Sequence, residues 1–345
     1  MLSQPLSDAL SETGLSSIYL CVSQVHGPEQ FSAAVGLRDP SASQPADAQD
    51  ALRLASVTKT FTAALILRLK EESLLNLDQK AITHLGPEVW NGLLVLEGVD
   101  YGSEITIFQL LNHTSGLGDH FSDGDEDQDG FPDMLTLLRT NPEAFWTPQM
   151  VLDYARTHTP PSGIPGSGFH YSDTGYVLLG LIIEKVTGLA LEKAYREWLL
   201  VPCGLQHTWM EFREKPRAEM AHTFFEQNDL TEMTSISSDW AGGGLVATSN
   251  DLASFLKQLI SGQVFKSEDT LRQMLETQAE ISPYYGLGVQ VLPTPLGTYI
   301  GHIGFSGAFM FYWQEQDLVI TGSVNQTKFD VTEMVLRLSQ PLIAK

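Results

Sequence analysis

Apolar and polar positions along the chain fall into two regimes. Near the start, residues 18–23, 31–37 and 52–55 form short apolar or alternating runs of the strand type. A helix is predicted over about 57–72, where Phe61, Ala64, Leu65, Leu67 and Leu69 leave little polar circumference; such a helix belongs inside the protein. From Leu74 to about Gln278 the pattern is mostly helical, with long loops. It includes a short helix at 107–112, a buried helix at 174–187 closed by Gly188, and a third at 250–260. Strand patterns return at 285–292, 298–303, 307–314 and 318–325, before a last helix at about 331–342. Strands at both ends with helices between predict an α+β fold. Residues 1–73 and 280–345 would build one sheet domain, and 74–279 a mainly helical domain. With no internal repeat and no low-complexity linker, the expectation is one compact unit with a cleft between its halves, where ligand sites prefer to lie.

Composition narrows the partners more than the fold. The chain has 345 residues and is 43% hydrophobic, enough to bury a substantial core. Its 42 acidic against 20 basic residues give a formal charge of −22. That surface repels nucleic-acid phosphates and anionic membranes, so neither is an expected partner; its simplest use is solubility. Cys21 and Cys203 lie far apart, and two reduced thiols are a simpler reading than a disulfide. The first residues lack a basic stretch followed by an apolar one, and no run of 18 apolar residues occurs. A soluble, cytoplasmic protein is therefore expected.

Three short motifs carry candidate chemistry. In Ser56-Val57-Thr58-Lys59 the hydroxyl and the amine share one helical face. A helix start offers backbone N–H groups to developing negative charge, while a lysine in the first turn opposes the helix dipole at a cost of about 0.3–1 kcal/mol. That field, with burial, favours the neutral amine a general base needs. Taken alone, the pattern fits an N-cap serine with an exposed lysine better. In His170-Tyr171-Ser172-Asp173, Tyr171 can relay protons if a nearby ammonium lowers its pKa. Asp173 reads either as a site residue or as a simple cap for the following helix. In Gly301-His302-Ile303-Gly304-Phe305-Ser306-Gly307, glycines such as Gly304 let a substrate backbone approach the strand. His302 is placed to hydrogen-bond a substrate carboxylate or carbonyl, or to steady Tyr171 and Ser56. Trp240 and Phe121 are candidates for cleft walls or for ordinary core aromatics.

The order S-x-x-K, then Y-x-D, then H-x-G resembles the penicillin-recognising serine hydrolases. These comprise class C β-lactamases, D-alanyl-D-alanine carboxypeptidases, D-aminopeptidases and family VIII carboxylesterases. Residues 110–117, 171–180, 241–248 and 285–288 also look like that family, and the resemblance runs from about residue 15 to 340. It implies a β-lactamase/penicillin-binding-protein-like fold, with an antiparallel sheet flanked by terminal helices. It also implies that Ser56 attacks an acyl carbon while Lys59 and Tyr171 move protons, with the Ser56 and Phe305 amides holding the oxyanion. No metal is required for that chemistry. Asp173 stands where the family usually has Asn, and His302 where many members have Lys. Both departures point away from β-lactams, toward small-molecule esters, amides or D-amino-acid peptides. Acyl transfer on the same fold, or a catalytically inactive protein of this kind, are the alternatives. No G-x-S-x-G or H-E-x-x-H is present to support another hydrolase class.

One segment lies outside the family pattern. Asp125, Asp127, Asp129, Gly130 and Asp133 fall at the first, third, fifth, sixth and ninth positions of an EF-hand-type loop, with the Phe131 carbonyl at the seventh. Position twelve is Thr136, not a bidentate Glu. The segment is therefore read either as a structural Ca²⁺ site or as a solvated acidic loop.

Overall fold

Side-chain alternation organises the main sheet of the computed structural model, which describes residues 2–27, 29–123 and 133–343. In β1 (Ser17–Gln24), Ile18, Leu20 and Val22 face one side and Tyr19 and Cys21 the other, and all five are fully buried. A strand buried on both faces must be covered by other elements on both. β1 pairs with β2 (Glu29–Asp39), which carries the short β3 (Gln44–Pro45). The C-terminal strands β4 (Gln290–Thr294), β5 (Gly297–Ile303), β6 (Ala308–Trp313) and β7 (Leu318–Ser323) supply the rest. The order is β4-β5-β6-β7-β1-β2-β3, antiparallel throughout. Tyr19 lies opposite Ser323 and Cys21 opposite Thr321, so the first strand closes on the last.

Helices α1 (Ser3–Thr13) and α5 (Val331–Ile343) cover one face, where Leu6 and Ala9 join Ile18, Leu20, Phe309, Phe311 and Leu338 in one apolar cluster. The other face is covered by α4 (Ser249–Ile260) and, beyond it, α2 (Thr58–Glu71). Phe61 of α2 stacks on Phe255 of α4 with ring centroids 3.9 Å apart. Every residue of α2 from Thr58 to Leu67 is buried, as its greasy circumference predicts. The buried helix α3 (Asp173–Thr187) crosses α2 and ends at Gly188 in the left-handed region (φ +70°). Cys21 and Cys203 are free thiols, both buried. Among the described residues, no single helix is long and apolar enough to cross a bilayer.

Three details differ from the sequence pattern. The strand expected at 285–292 begins only at Gln290. Before it the chain turns, with Gly288 at φ +71° and the Gly286 N–H bonded to Val289 O at 2.9 Å. The short strand Ala51–Arg53 does not join the main sheet. It pairs with Leu245–Thr248, which pairs in turn with Thr208–Met210. And α4, inside the 74–279 stretch, packs on the sheet. The sheet and the helical region are thus stitched together immediately before Ser56. Phe61→Ala removes one ring of the buried stack and should lower the unfolding free energy by about 3–5 kcal/mol in guanidinium titration. A loss below about 1 kcal/mol would contradict this packing.

Candidate active site

Ser56 sits in the 3₁₀ turn Ala55–Val57, directly ahead of α2. Ala55 has φ +44°, a left-handed conformation that costs a residue with a Cβ about 1–3 kcal/mol. The end of β5 presses on this turn: a Cβ on Gly304 would lie 2.1 Å from Leu54 O, so only glycine allows the approach. The approach sets the segment bearing the Phe305 N–H against the turn that bears the Ser56 N–H, with Ser306 Oγ donating to Arg53 O at 2.6 Å. Among the described residues, neither N–H has a backbone partner, as an oxyanion-binding pair requires.

Lys59 is one turn further on and fully buried. Its Nζ lies 3.1 Å from Ser56 Oγ and 3.0 Å from Gly242 O, and it forms an ion pair with the Asp173 carboxylate. Three acceptors match the three protons of an ammonium. A Cβ at position 242 would fall 2.6 Å from Asp173 Oδ1, so the first residue of the triple glycine must lack a side chain. The reading of Asp173 as a helix cap is corrected. Ser172 is the cap, accepting from Gly175 N–H and donating to Gly118 O at 2.8 Å. Asp173, one residue on, receives no capping duty and turns its carboxylate to Lys59. Its own N–H donates to Asp119 Oδ1 at 3.0 Å.

Tyr171 lies near Ser56, whose side chain acts to lower its pKa, and its ring centroid is 4.9 Å from Lys59 Nζ. The expectation that the ammonium lowers its pKa is overturned. Burial, and then the Asp173 charge, push the phenol well above its usual range. Burial and the Asp173 charge also raise Asp119 to about 6 and Asp239 to about 7.

His302 is buried and has both ring nitrogens engaged. Nδ1 lies 2.8 Å from Ile303 O, so it carries the proton, and Nε2 accepts from the Tyr285 hydroxyl at 2.9 Å. Burial, helped by the Lys59 charge, lowers its pKa to about 3. The imidazole therefore offers no cation and no free donor to a substrate carboxylate, which corrects that part of the sequence reading. Tyr285 and His113 are additions. His113 takes the Ser172 N–H on Nδ1 at 3.0 Å and lies against the Tyr171 ring, centroids 4.2 Å apart. Both residues occur in family-like segments, yet nothing in a linear pattern shows an aromatic stacked under Tyr171.

Trp240 borders a cavity beside Ser56 that also reaches Ala55 and Phe305. Its backbone is left-handed, with φ +34°. Phe305 is half exposed at its mouth. Phe121 does not line that cavity and packs with Met134, Leu138 and Tyr154. Of the proposed calcium ligands, Asp125, Asp127, Asp129 and Phe131 lie outside the described residues, with Gly130. Asp133 caps the helix Met134–Thr140, its oxygens 2.8 Å and 3.1 Å from the Thr136 amide and hydroxyl.

The family model described as Beta-lactamase matches residues 6–340. The chain belongs to that family. It is 34% identical over 186 residues to Esterase EstB of Burkholderia gladioli, covering 52% of this chain and 44% of the relative. It is 29% identical over 174 residues to Penicillin-binding protein 4 of Amycolatopsis lactamdurans, covering 48% and 38%. The matched segments thus span less than half the length of these curated relatives. Among solved structures, a D-stereospecific amidohydrolase from Streptomyces sp. superposes with a TM-score of 0.79 at 26% identity, covering 94% of each chain. The β-lactamase/penicillin-binding-protein-like architecture is therefore shared from end to end.

Because His302 binds a proton only well below the usual histidine range, its imidazole C–H signals should not titrate between about pH 5 and 9. The sign follows for stability. Between about 3 and 6.5 the unfolded chain binds this proton and the folded one does not, so His302 destabilises the fold as pH falls. An NMR titration showing an inflection near pH 6.5 would contradict the buried, neutral assignment.

Proposed function

We propose that the protein is a serine hydrolase that cleaves ester or amide bonds through an acyl-enzyme on Ser56. The observation that carries this reading is the buried Lys59 amine 3.1 Å from the Ser56 hydroxyl, with the Tyr171 ring 4.9 Å from that amine. Asp173 takes the extra proton of Lys59, and the amine then accepts the Ser56 proton as Oγ attacks the acyl carbon. The oxyanion rests on the Ser56 and Phe305 N–H groups. Tyr171, a phenol at rest, donates to the leaving group as the acyl bond breaks, and Lys59 restores that proton. Water then attacks the acyl-enzyme and releases the acid. Asp173 then hands its proton back to Lys59, so acylation moves one proton net from Ser56 to the leaving group, and Ser56 regains a proton from the attacking water.

The substrate class follows from what faces the nucleophile. Neutral His302 gives no counter-charge for the carboxylate of a β-lactam or of a peptide C-terminus. Esters and amides without a carboxylate near the scissile bond suit this surface better. The names of two relatives, an esterase and a D-stereospecific amidohydrolase, agree with that class.

A fluorophosphonate probe should label the Ser56 peptide, as read by mass spectrometry, and Ser56→Ala should abolish both the label and turnover. Lys59→Ala should lower kcat at least about a thousandfold on p-nitrophenyl esters, while circular dichroism stays folded. Labelling at another residue would refute the nucleophile. Nitrocefin turnover equal to ester turnover would refute the substrate class.

A further inference from the structure

Two carboxylates that the acyl-enzyme chemistry does not use line the cavity beside Ser56: Glu211, which is held by Arg53, and Asp239, which is not. Asp239 ends the 3₁₀ helix Thr234–Asp239, one residue before the strained Trp240. It shares the cavity with Ala55, the residue before the nucleophile, and with Phe305, which bears the second oxyanion amide. The remaining wall is largely apolar, through Phe212, Leu230, Ile236 and Trp240. The carboxylate lies over the backbone of Gly243, where a Cβ would meet Asp239 Oδ2 at 2.7 Å. Among the described residues, no donor hydrogen-bonds to it.

Two cations border the same cavity, and neither is ion-paired with Asp239: Arg213 lies over the Phe145 ring, 4.7 Å from its centroid, and Arg53 is already neutralised. Arg53 Nε and Nη2 grip both oxygens of Glu211 at 2.8 Å and 2.7 Å. Its remaining N–H groups go to Leu230 O at 2.8 Å and Thr231 O at 2.6 Å. Lys59 is likewise saturated by Ser56, Gly242 and Asp173. A carboxylate without a donor in an apolar cavity is costly unless a partner arrives with the ligand. Lacking that partner, it is held toward the protonated form, with a pKa of about 7.

Resting on the hydrolase reading above, we infer that Asp239 is a specificity residue that binds a cationic amine on the acyl portion of the substrate. The acyl group would then combine an apolar side chain, packed against Phe305 and Ile236, with an ammonium on Asp239. An α-amino acyl group has that chemistry. The amino ester or amide would be chosen over its deamino counterpart because the counterpart leaves Asp239 buried and unpaired.

The test compares phenylalanine methyl ester, in each enantiomer, with methyl 3-phenylpropanoate by pH-stat on the full chain at about pH 8. The ratio of kcat/KM values, amino ester over deamino ester, should fall at least tenfold in Asp239→Asn for the preferred enantiomer. Taking the ratio removes the intrinsic reactivity of the two esters. A ratio that stays within about twofold would overturn the proposal. Calorimetry on the unmodified protein gives a readout that needs neither the variant nor turnover. 2-Phenylethylammonium should bind at least tenfold more tightly than 2-phenylethanol, and equal affinities would overturn the proposal. Failure of the hydrolase reading looks different: no fluorophosphonate label on Ser56 and no hydrolysis of either ester.

Discussion

The ammonium of Lys59 is the constraint on which this active site depends. An uncompensated charge at that depth costs several kcal/mol, so the fold holds only if every proton on Nζ finds an acceptor. Those acceptors come from three parts of the chain: Ser56 in the same turn, Asp173 at the start of α3, and Gly242 in the triple glycine. Docking them fixes α3 against α2 and requires that position 242 carry no side chain. The contacts that keep the lysine tolerable in the interior are the ones that aim it at the nucleophile. Stability and reactivity share one set of atoms.

Replacing an amide by a carboxylate at position 173 then reshapes the electrostatics around it. Burial, and then the Asp173 charge, dominate at the Tyr171 phenol and raise its pKa. The same negative charge raises Asp119 and Asp239. On the opposite wall, His302 stays neutral because burial and Lys59 both disfavour its protonation. Around Ser56 the buried cation Lys59 is saturated, and burial with the Asp173 charge raises the nearby carboxyl groups Asp119 and Asp239.

Much of this was legible from the linear pattern, because strands and buried helices advertise themselves through periodicity. The α2 and α3 helices fall within a residue or two of their expected bounds, and the order of the three boxes pointed to Ser56, Lys59 and Tyr171. What the pattern hid were matters of neighbourhood. Ser172 and Asp173 are both good capping residues, and only the three-dimensional proximity of Lys59 decides which one is released for the site. His302 was legible as a box residue but not as a neutral one, since its state depends on Tyr285 and on burial. The run 285–292 reads as a strand by composition, yet Gly286 and Gly288 serve a turn packed against α2. Asp239 is one acidic residue among many in a chain this acidic, and only its place beside Ala55 and Phe305 sets it apart.

The pairing of β1 with β7 has a consequence for biosynthesis. Synthesis proceeds from the N-terminus, so β1 emerges almost three hundred residues before the strand that completes it. Until Ser323 leaves the ribosome, the edge of β1 opposite β2 has no partner, although both of its faces are apolar. The intervening helices must form and wait while that edge is exposed. A chaperone able to mask a single β-strand during translation would therefore raise the yield of folded protein more than one acting on the helical middle, whose contacts are closer along the chain.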